Sequence, residues 1–153
     1  MKAYLSLGSN IHPAQNLLAC LKKIRKTFLL QKVSSIYETS PVGLVGPRPF
    51  WNLALQIETS LARNQLQRKL RRIERELGRV RGKNKFLSRP IDIDLIAYRN
   101  WRRVGFEKFA FILFPLAQIA PRLKGVHRKS LHQIAQGFCD PKQKIRKIRK
   151  PFL

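Results

Sequence analysis

In the stretch RPIDIDLIAY, Arg89 to Tyr98, two aspartates stand inside an apolar run. Acidic side chains are scarce in this chain, with eight Asp and Glu against thirty-two Lys and Arg. Carboxylates bind hard cations and pair with guanidinium groups, so Asp92 and Asp94 are the first candidates for chemistry. A short run rich in Ile and Leu and opened by a proline reads as a β-strand. On a strand, Ile91, Ile93 and Leu95 face one way and Asp92 and Asp94 the other, roughly 6–7 Å apart. Two like charges on one face repel unless something positive lies beside or between them. Two arrangements meet that need. One is a solvated strand face neutralised by nearby arginines; the other is a Mg2+ site in which the carboxylates are joined by substrate phosphates and water.

The residues just before the strand bear on that choice. Arg79, Arg81, Lys83, Lys85 and Arg89 fall in one polar segment leading into the aspartates. Polyphosphate chemistry asks for this combination, because arginines neutralise phosphate oxygens bidentately and carboxylates hold the metal that bridges them.

The elements that must position these groups can be read from periodicity. Residues 2–10 alternate as a first strand that ends at Gly8. Leu17, Leu18, Leu21, Ile24 and Phe28 recur at helical spacing, with Lys22, Lys23, Arg25 and Lys26 largely outside. A strand is predicted at about Lys32 to Tyr37. The loop Thr39 to Pro49 follows, with three prolines and two glycines, and then a strand through FWNLALQIET. Leu66, Leu70, Ile73 and Leu77 form the buried stripe of a second helix stopped by Gly78. Beyond Tyr98 we expect a short strand at about Phe109 to Leu113, a turn of helix at PLAQIAP and a last helix from Ser130 to Gly137. The order β-α-β-β-α-β with added C-terminal helices predicts an α+β ferredoxin-like sandwich, an antiparallel sheet with helices.

With 153 residues and 44% hydrophobic side chains, the chain suits one domain, expected over residues 1–141 and followed by a basic tail, 142–153. No run approaches the roughly 18 apolar residues of a membrane span, and MKAYLSLGSN lacks a secretory segment. A cytoplasmic location is the expectation, with no membrane partner. Cys20 and Cys139 lie in segments that read as helical and are expected to be buried thiols. The formal charge of +24 implies a polyanionic partner, and the tail KQKIRKIRK reads as a solvated extension able to contact nucleic acid through phosphates.

Several spaced motifs carry a resemblance: GSN at Gly8 to Asn10, YETSPVG at Tyr37 to Gly43, PFWN at Pro49 to Asn52, E-x-x-x-G-R-x-R at Glu74 to Arg81, R-P-I-D-I-D-L at Arg89 to Leu95 and FILFPLAQIAP at Phe111 to Pro121. In this set the chain resembles the 6-hydroxymethyl-7,8-dihydropterin pyrophosphokinase family of folate biosynthesis. The resemblance implies transfer of pyrophosphate from ATP to the hydroxymethyl oxygen of the dihydropterin. It implies that Asp92 and Asp94 hold two Mg2+ ions and are catalytic together with Arg79 and Arg89. Glu74, Arg81 and Arg89 are then expected to bind ATP. Phe50 and Phe111 are expected to stack on the pterin, Asn52 to hydrogen-bond its edge, and Thr39, Ser40 and Val42 to line the pocket. A monomer is expected.

The sequence departs from the family in places. Phe86-Leu87-Ser88 stands where a Trp-containing run is usual, and the segment between Tyr98 and Phe111 is short and lacks V-P-H-P. Arg99, Arg102, Arg103 and Lys108 lie near that gap. A reading of a different class is a diverged relative with a weakened ATP site, acting as a basic nucleic-acid-binding protein.

Overall fold

Ala3, Leu5 and Leu7 alternate with Tyr4, Ser6 and Gly8 along the first strand, and all but the half-buried Tyr4 are buried. A strand buried on both faces and paired on both edges must lie at the centre of a sheet. The computed structural model, which describes residues 1–40, 48–79 and 89–149, places it there. The elements are β1 (Lys2–Ser9), α1 (Pro13–Thr27), β2 (Leu29–Val33), β3 (Ile36–Thr39), β4 (Phe50–Glu58), α2 (Arg63–Glu76), β5 (Asp92–Tyr98), β6 (Trp101–Arg102), α3 (Ala110–Ile119), α4 (Leu131–Gln136) and β7 (Ile145–Arg149). The strands run antiparallel in the order β6-β5-β1-β4-β3-β7, and β2 also pairs with β4. The fold is the predicted α+β ferredoxin-like sandwich, extended at its C-terminal end.

Each sheet face has its own core. Leu17, Cys20, Leu21 and Ile24 of α1 and Leu66, Leu70 and Ile73 of α2 pack on Leu5, Leu7, Leu53, Leu55, Ile93 and Leu95. The other face is covered by α3 and α4, where Ile112, Leu113, Leu116 and Leu131 meet Ala54 and Ile96. The alternation expected of β5 holds, since Ile91, Ile93 and Leu95 are buried and Asp92 and Asp94 half-exposed on the opposite side.

Four expectations are corrected. The strand predicted over Lys32 to Tyr37 is two strands split at Ser34-Ser35. There Ser34 N–H donates to Ala54 O at 2.9 Å while Ser34 Oγ accepts the Ala54 N–H at 2.8 Å, so a side chain replaces a ladder carbonyl. The strand predicted at Phe109 to Leu113 is the start of α3, with the N–H of Leu113 on Phe109 O at 2.9 Å. A short, wholly apolar run does not distinguish a buried strand from a buried helix. Cys139 is exposed, because α4 ends at Gln136 before reaching it, whereas Cys20 is buried and its thiol pushed up to about 12 by desolvation and the charge of Glu74.

The fourth correction concerns the tail, whose residues 145–149 join the sheet rather than extending into solvent. β7 covers the free edge of β3, and Arg146 reaches Glu38 at 2.9 Å while Lys147 lies over the Tyr37 ring at 5.9 Å. Its cationic side chains discourage further strand addition at the new edge. Just before it, Gln143 clamps the start of α3, accepting the Ala110 N–H at 2.7 Å and donating to Lys108 O at 2.8 Å. Removing residues 142–153 therefore strips an edge strand and that clamp. We expect a loss of about 2 kcal/mol, seen by calorimetry as a fall in Tm of roughly 4–8 °C. A Tm that does not move would mean the strand contributes nothing.

Candidate active site

Strand register brings the expected site residues into rows. Tyr37, Asn52, Gly8 and Asp92 lie opposite one another across β3, β4, β1 and β5. Ala54, Ser6 and Asp94 form the next row. At about 4.8 Å per strand, Asn52 and Asp92 are roughly 10 Å apart with Gly8 between them. A Cβ on Gly8 would come within 2.9 Å of Asn52 Oδ1 and 3.8 Å of Phe50. Glycine thus keeps the floor between the two polar side chains open. α3 covers this face beside Ala54, one row from Asn52, and Ile96, two rows from Asp92.

Around that floor the structure gathers most of the residues expected to hold a flat heterocycle. Asn52 is 3% exposed and donates from Nδ2 to Thr39 Oγ1 at 2.8 Å. Ser40 is fixed by its N–H on Lys144 O at 3.2 Å, while its buried Oγ has no hydrogen-bond partner among the described residues. Phe50 is half-buried beside Gly8. Phe111 stands near the start of α3, half-buried and tilted against Phe109 at 5.5 Å between centroids. Val42 and Arg81 lie outside the described residues.

The carboxylates sit in a guanidinium cluster. The strand β5 begins at Asp92, and α2 ends beside it, where Gly78 at φ +92° turns the chain so that Arg79 points back. Arg79 Nη1 donates to Glu74 Oε1 at 2.5 Å and also to Asp92 Oδ1. Arg89 Nη1 donates to Asp92 Oδ2 at 2.7 Å. Glu74 is 1% exposed, and its Oε1 also accepts the N–H of Ile93 at 2.7 Å. Without ligands, the Glu74 carboxylate, expected to bind ATP, is turned inward and ties α2 to β5 beneath the site, holding Arg79 in place.

The two aspartates are pushed apart electrostatically. Burial works to raise the Asp92 carboxyl, but the charges of Arg79 and Arg89 outweigh it and hold the group below the usual carboxylate range. Asp94 is raised by burial and by the charge of Asp92, and the Arg103 guanidinium only partly offsets this. Arg103 Nη1 lies 2.8 Å from Asp94 Oδ2. The pair titrates as a unit, one member low and one high.

Asn10 and Arg103 position the cluster, and the sequence singled out neither by itself. Asn10 is buried, its Oδ1 accepts the Arg89 N–H at 2.7 Å, and its own N–H donates to Arg89 O at 3.3 Å. It pins the backbone from which the Arg89 side chain projects, and its Nδ2 is buried without a partner among the described residues. A polar residue directly after Gly-Ser at a strand end was the available signal. Arg103 is the other; nothing in the sequence distinguished it from its cationic neighbours, and its N–H on Ile96 O at 2.9 Å fixes it beside β5.

Among the described residues no cluster of three or more His, Cys, Asp or Glu side chains could hold a metal. Two oxygen-ligand carboxylates with room for outside ligands do not suit zinc. They suit Mg2+, which keeps water and takes substrate phosphates. The unpartnered Asn10 Nδ2 and Ser40 Oγ and the space above Gly8 fit a polar ligand lying across the strands.

Residues 4–121 match the family model described as 7,8-dihydro-6-hydroxymethylpterin-pyrophosphokinase. Among curated proteins, the chain is similar to three named 2-amino-4-hydroxy-6-hydroxymethyldihydropteridine pyrophosphokinase. The protein from Aquifex aeolicus is 30% identical over 85% of this chain and 88% of its own length. That from Bacillus subtilis is 34% identical over 80% of each. That from Haemophilus influenzae is 32% identical over 92% of this chain and 94% of its own.

Replacing Arg79 by Met leaves Glu74 and Asp92 facing each other without their shared cation. Stability at neutral pH should fall by roughly 3–5 kcal/mol in urea titrations. The depressed Asp92 carboxyl contributes stability above the ordinary Asp pKa, and the wild type loses it as pH falls through the lowered value. The deficit of the variant should therefore shrink in acid. A deficit independent of pH would mean that packing, not charge, is what Arg79 supplies.

Proposed function

The chain belongs to the 7,8-dihydro-6-hydroxymethylpterin pyrophosphokinase family, an enzyme family of folate biosynthesis, and on that premise we propose how its residues carry the transfer of pyrophosphate from ATP to the dihydropterin. The observation that supports the reading best is the row Asn52, Gly8, Asp92. A ring whose edge meets Asn52 and whose face lies over Gly8 directs its hydroxymethyl arm towards the aspartates. Phe50 and Phe111 sandwich the ring, and Thr39, Ser40 and Val42 line its edge. Asp92 and Asp94 would hold two Mg2+ ions, which would supply charge neutralisation for the ATP phosphates and a lowered pKa for the attacking hydroxyl.

The arginines and carboxylates exchange partners as the substrates arrive. Without ligands, Asp92 spends both oxygens on Arg79 and Arg89. Metal at the carboxylates would free Arg79 and Arg89 for phosphate oxygens, which Arg81 would also meet, so that these guanidinium groups keep anionic partners. Glu74 holds Arg79 on its inner side throughout. The hydroxymethyl oxygen forms its bond to the β-phosphorus of ATP in line, the bond to the α-phosphate oxygen breaks, the hydroxyl proton is lost and AMP leaves.

We place the reaction in the cytoplasm and in a monomer. The free, exposed Cys139 is in keeping with a reducing compartment. No helix among the described residues is long and apolar enough to cross a membrane. The basic surface is read as an accessory that attracts nucleic acid through phosphates. In its support, α1 and α2 together carry Lys22, Lys23, Arg25, Lys26, Arg63, Arg68, Lys69, Arg71, Arg72 and Arg75, against Glu76 as their one exposed acid.

Asp92→Ala and Asp94→Ala should each reduce Mg2+-dependent AMP formation by far more than about tenfold, the equivalent of ~1.4 kcal/mol, with the circular dichroism spectrum unchanged. Either variant retaining activity near wild type overturns the metal assignment. On the pterin side, Asn52→Ala should weaken a pterin analogue by roughly 1–3 kcal/mol in calorimetry. Gly8→Ala should do the same by displacing Asn52. Wild type that fails to bind the analogue would end the pterin reading.

A further inference from the structure

The far end of β5 from the aspartates, roughly 20 Å along the strand, carries a second group of polar and aromatic side chains. There the first turn of α2 and the turn between β5 and β6 enclose a cleft of about 420 Å3. Tyr98 joins its two sides, with its hydroxyl donating to Leu61 O at 2.7 Å. Trp101 forms one wall, half-buried and packed against the core beneath α1 and α2. The Arg63 guanidinium lies over its ring, 4.9 Å from the centre. Arg99, Asn64 and Asn100 complete the lining and are exposed. Among the described residues no carboxylate pairs with Arg63 or Arg99, and the first turn of α2 holds no acid. An aromatic face in a cationic cleft without carboxylates suits a flat base followed by a phosphate. The cleft also opens onto a longer cationic track. Asn64, Arg68, Arg71 and Arg75 are all exposed and recur at helical spacing, so they run as one stripe roughly 16 Å up the outside of α2. Glu76, the one exposed acid of that helix, is already held by Lys23 at 2.8 Å and Arg72 at 3.0 Å.

We infer that α2 and the β5-β6 turn form a binding site for single-stranded nucleic acid, with one base stacked on Trp101 and the neighbouring phosphates on Arg63, Arg99 and the α2 stripe. The inference rests on reading the basic surface as one that attracts nucleic acid, and it gives that reading a place and a mode. A single strand is the form that fits, because a duplex hides the base faces that an indole stacks on. The base takes the position of the Arg63 guanidinium over the ring. Arg63, with no carboxylate to hold it, turns to the adjoining phosphate, which its planar fork meets bidentately. The cleft and the aspartate cluster lie at opposite ends of β5, so strand and substrates bind independently.

Trp51 and Trp101 are the only tryptophans of the chain, so Trp51→Phe protein reports the fluorescence of Trp101 alone. Titrated with a short oligouridylate, that signal should be quenched saturably, with an affinity that falls steeply as salt rises. The same strand annealed to its complement should leave the signal unquenched. In anisotropy titrations, Trp101→Leu should bind oligouridylate at least about fivefold more weakly than wild type. Arg63→Gln and Arg99→Gln should each reduce the slope of log affinity against log salt by roughly 0.7. Circular dichroism checks that each variant is folded, and if Trp101→Leu is not, the quenching and the two arginine variants decide. Oligouridylate that binds without quenching Trp101, or that binds all the folded variants as it binds wild type, overturns the inference while the basic surface keeps its general attraction for nucleic acid. Equal quenching by the duplex overturns it too. Uridine monophosphate that quenches Trp101 at the same concentrations as the strand overturns the strand as ligand and assigns the cleft to a free nucleotide. Wild type that binds no oligouridylate ends both the inference and the reading of the basic surface.

Discussion

Two carboxylates two positions apart on a strand share a face, and their mutual repulsion must be met by cations from whichever elements border that strand. Much of the architecture around β5 answers this demand. α2 ends on a glycine with a positive φ so that Arg79 turns back to Asp92, Glu74 beneath it holds that arginine and an N–H of β5 together, Asn10 fixes the backbone of Arg89, and the β5-β6 hairpin returns Arg103 to Asp94. Each cation is provisional, because a guanidinium on a carboxylate occupies the place a metal would take and can itself turn to phosphate. On the proposed function, the ligand-free protein stores its phosphate-binding groups on its metal-binding groups, so that folding and substrate binding draw on one set of charges.

The opposite end of the site depends on an omission. Gly8 lies between Asn52 and Asp92 in the sheet, and its missing side chain leaves open the space that, on the proposed function, one ligand would cross. The same polar face could not extend further along the strands, because Ala54 and Ile96 in the following positions are covered by α3. The site is therefore bounded by register, with polar residues where the helix layer stops and apolar ones where it begins.

The sequence disclosed this arrangement unevenly, for physical reasons. Strand alternation placed Asp92 and Asp94 on one face correctly, since period-two patterning survives wherever one face is buried. The ferredoxin-like core was legible from periodicity, and the family from its spaced motifs. What could not be read were features set by tertiary partners. Apolar runs such as Phe109 to Leu113 are compatible with strand or helix until packing chooses. The basic run after residue 142 has the composition of a solvated tail, and becomes a strand because β3 offers it an edge. Arg103 looked like one cation among many, because its distinction lies in the register of a hairpin. Glu74 matched a position expected to face the nucleotide, and its burial under Arg79 is a consequence of how α2 meets β5.

The contrast between the two cysteines has a practical side. Cys20 is sealed in the core with its thiol held protonated, and such a thiol is a poor nucleophile. Cys139 is exposed between α4 and the residues that clamp the start of α3. A maleimide dye added to the native protein would therefore attach at one place without any engineering. That place adjoins the clamp on the helix carrying Phe111, so the dye would serve as a built-in optical reporter of how that helix moves.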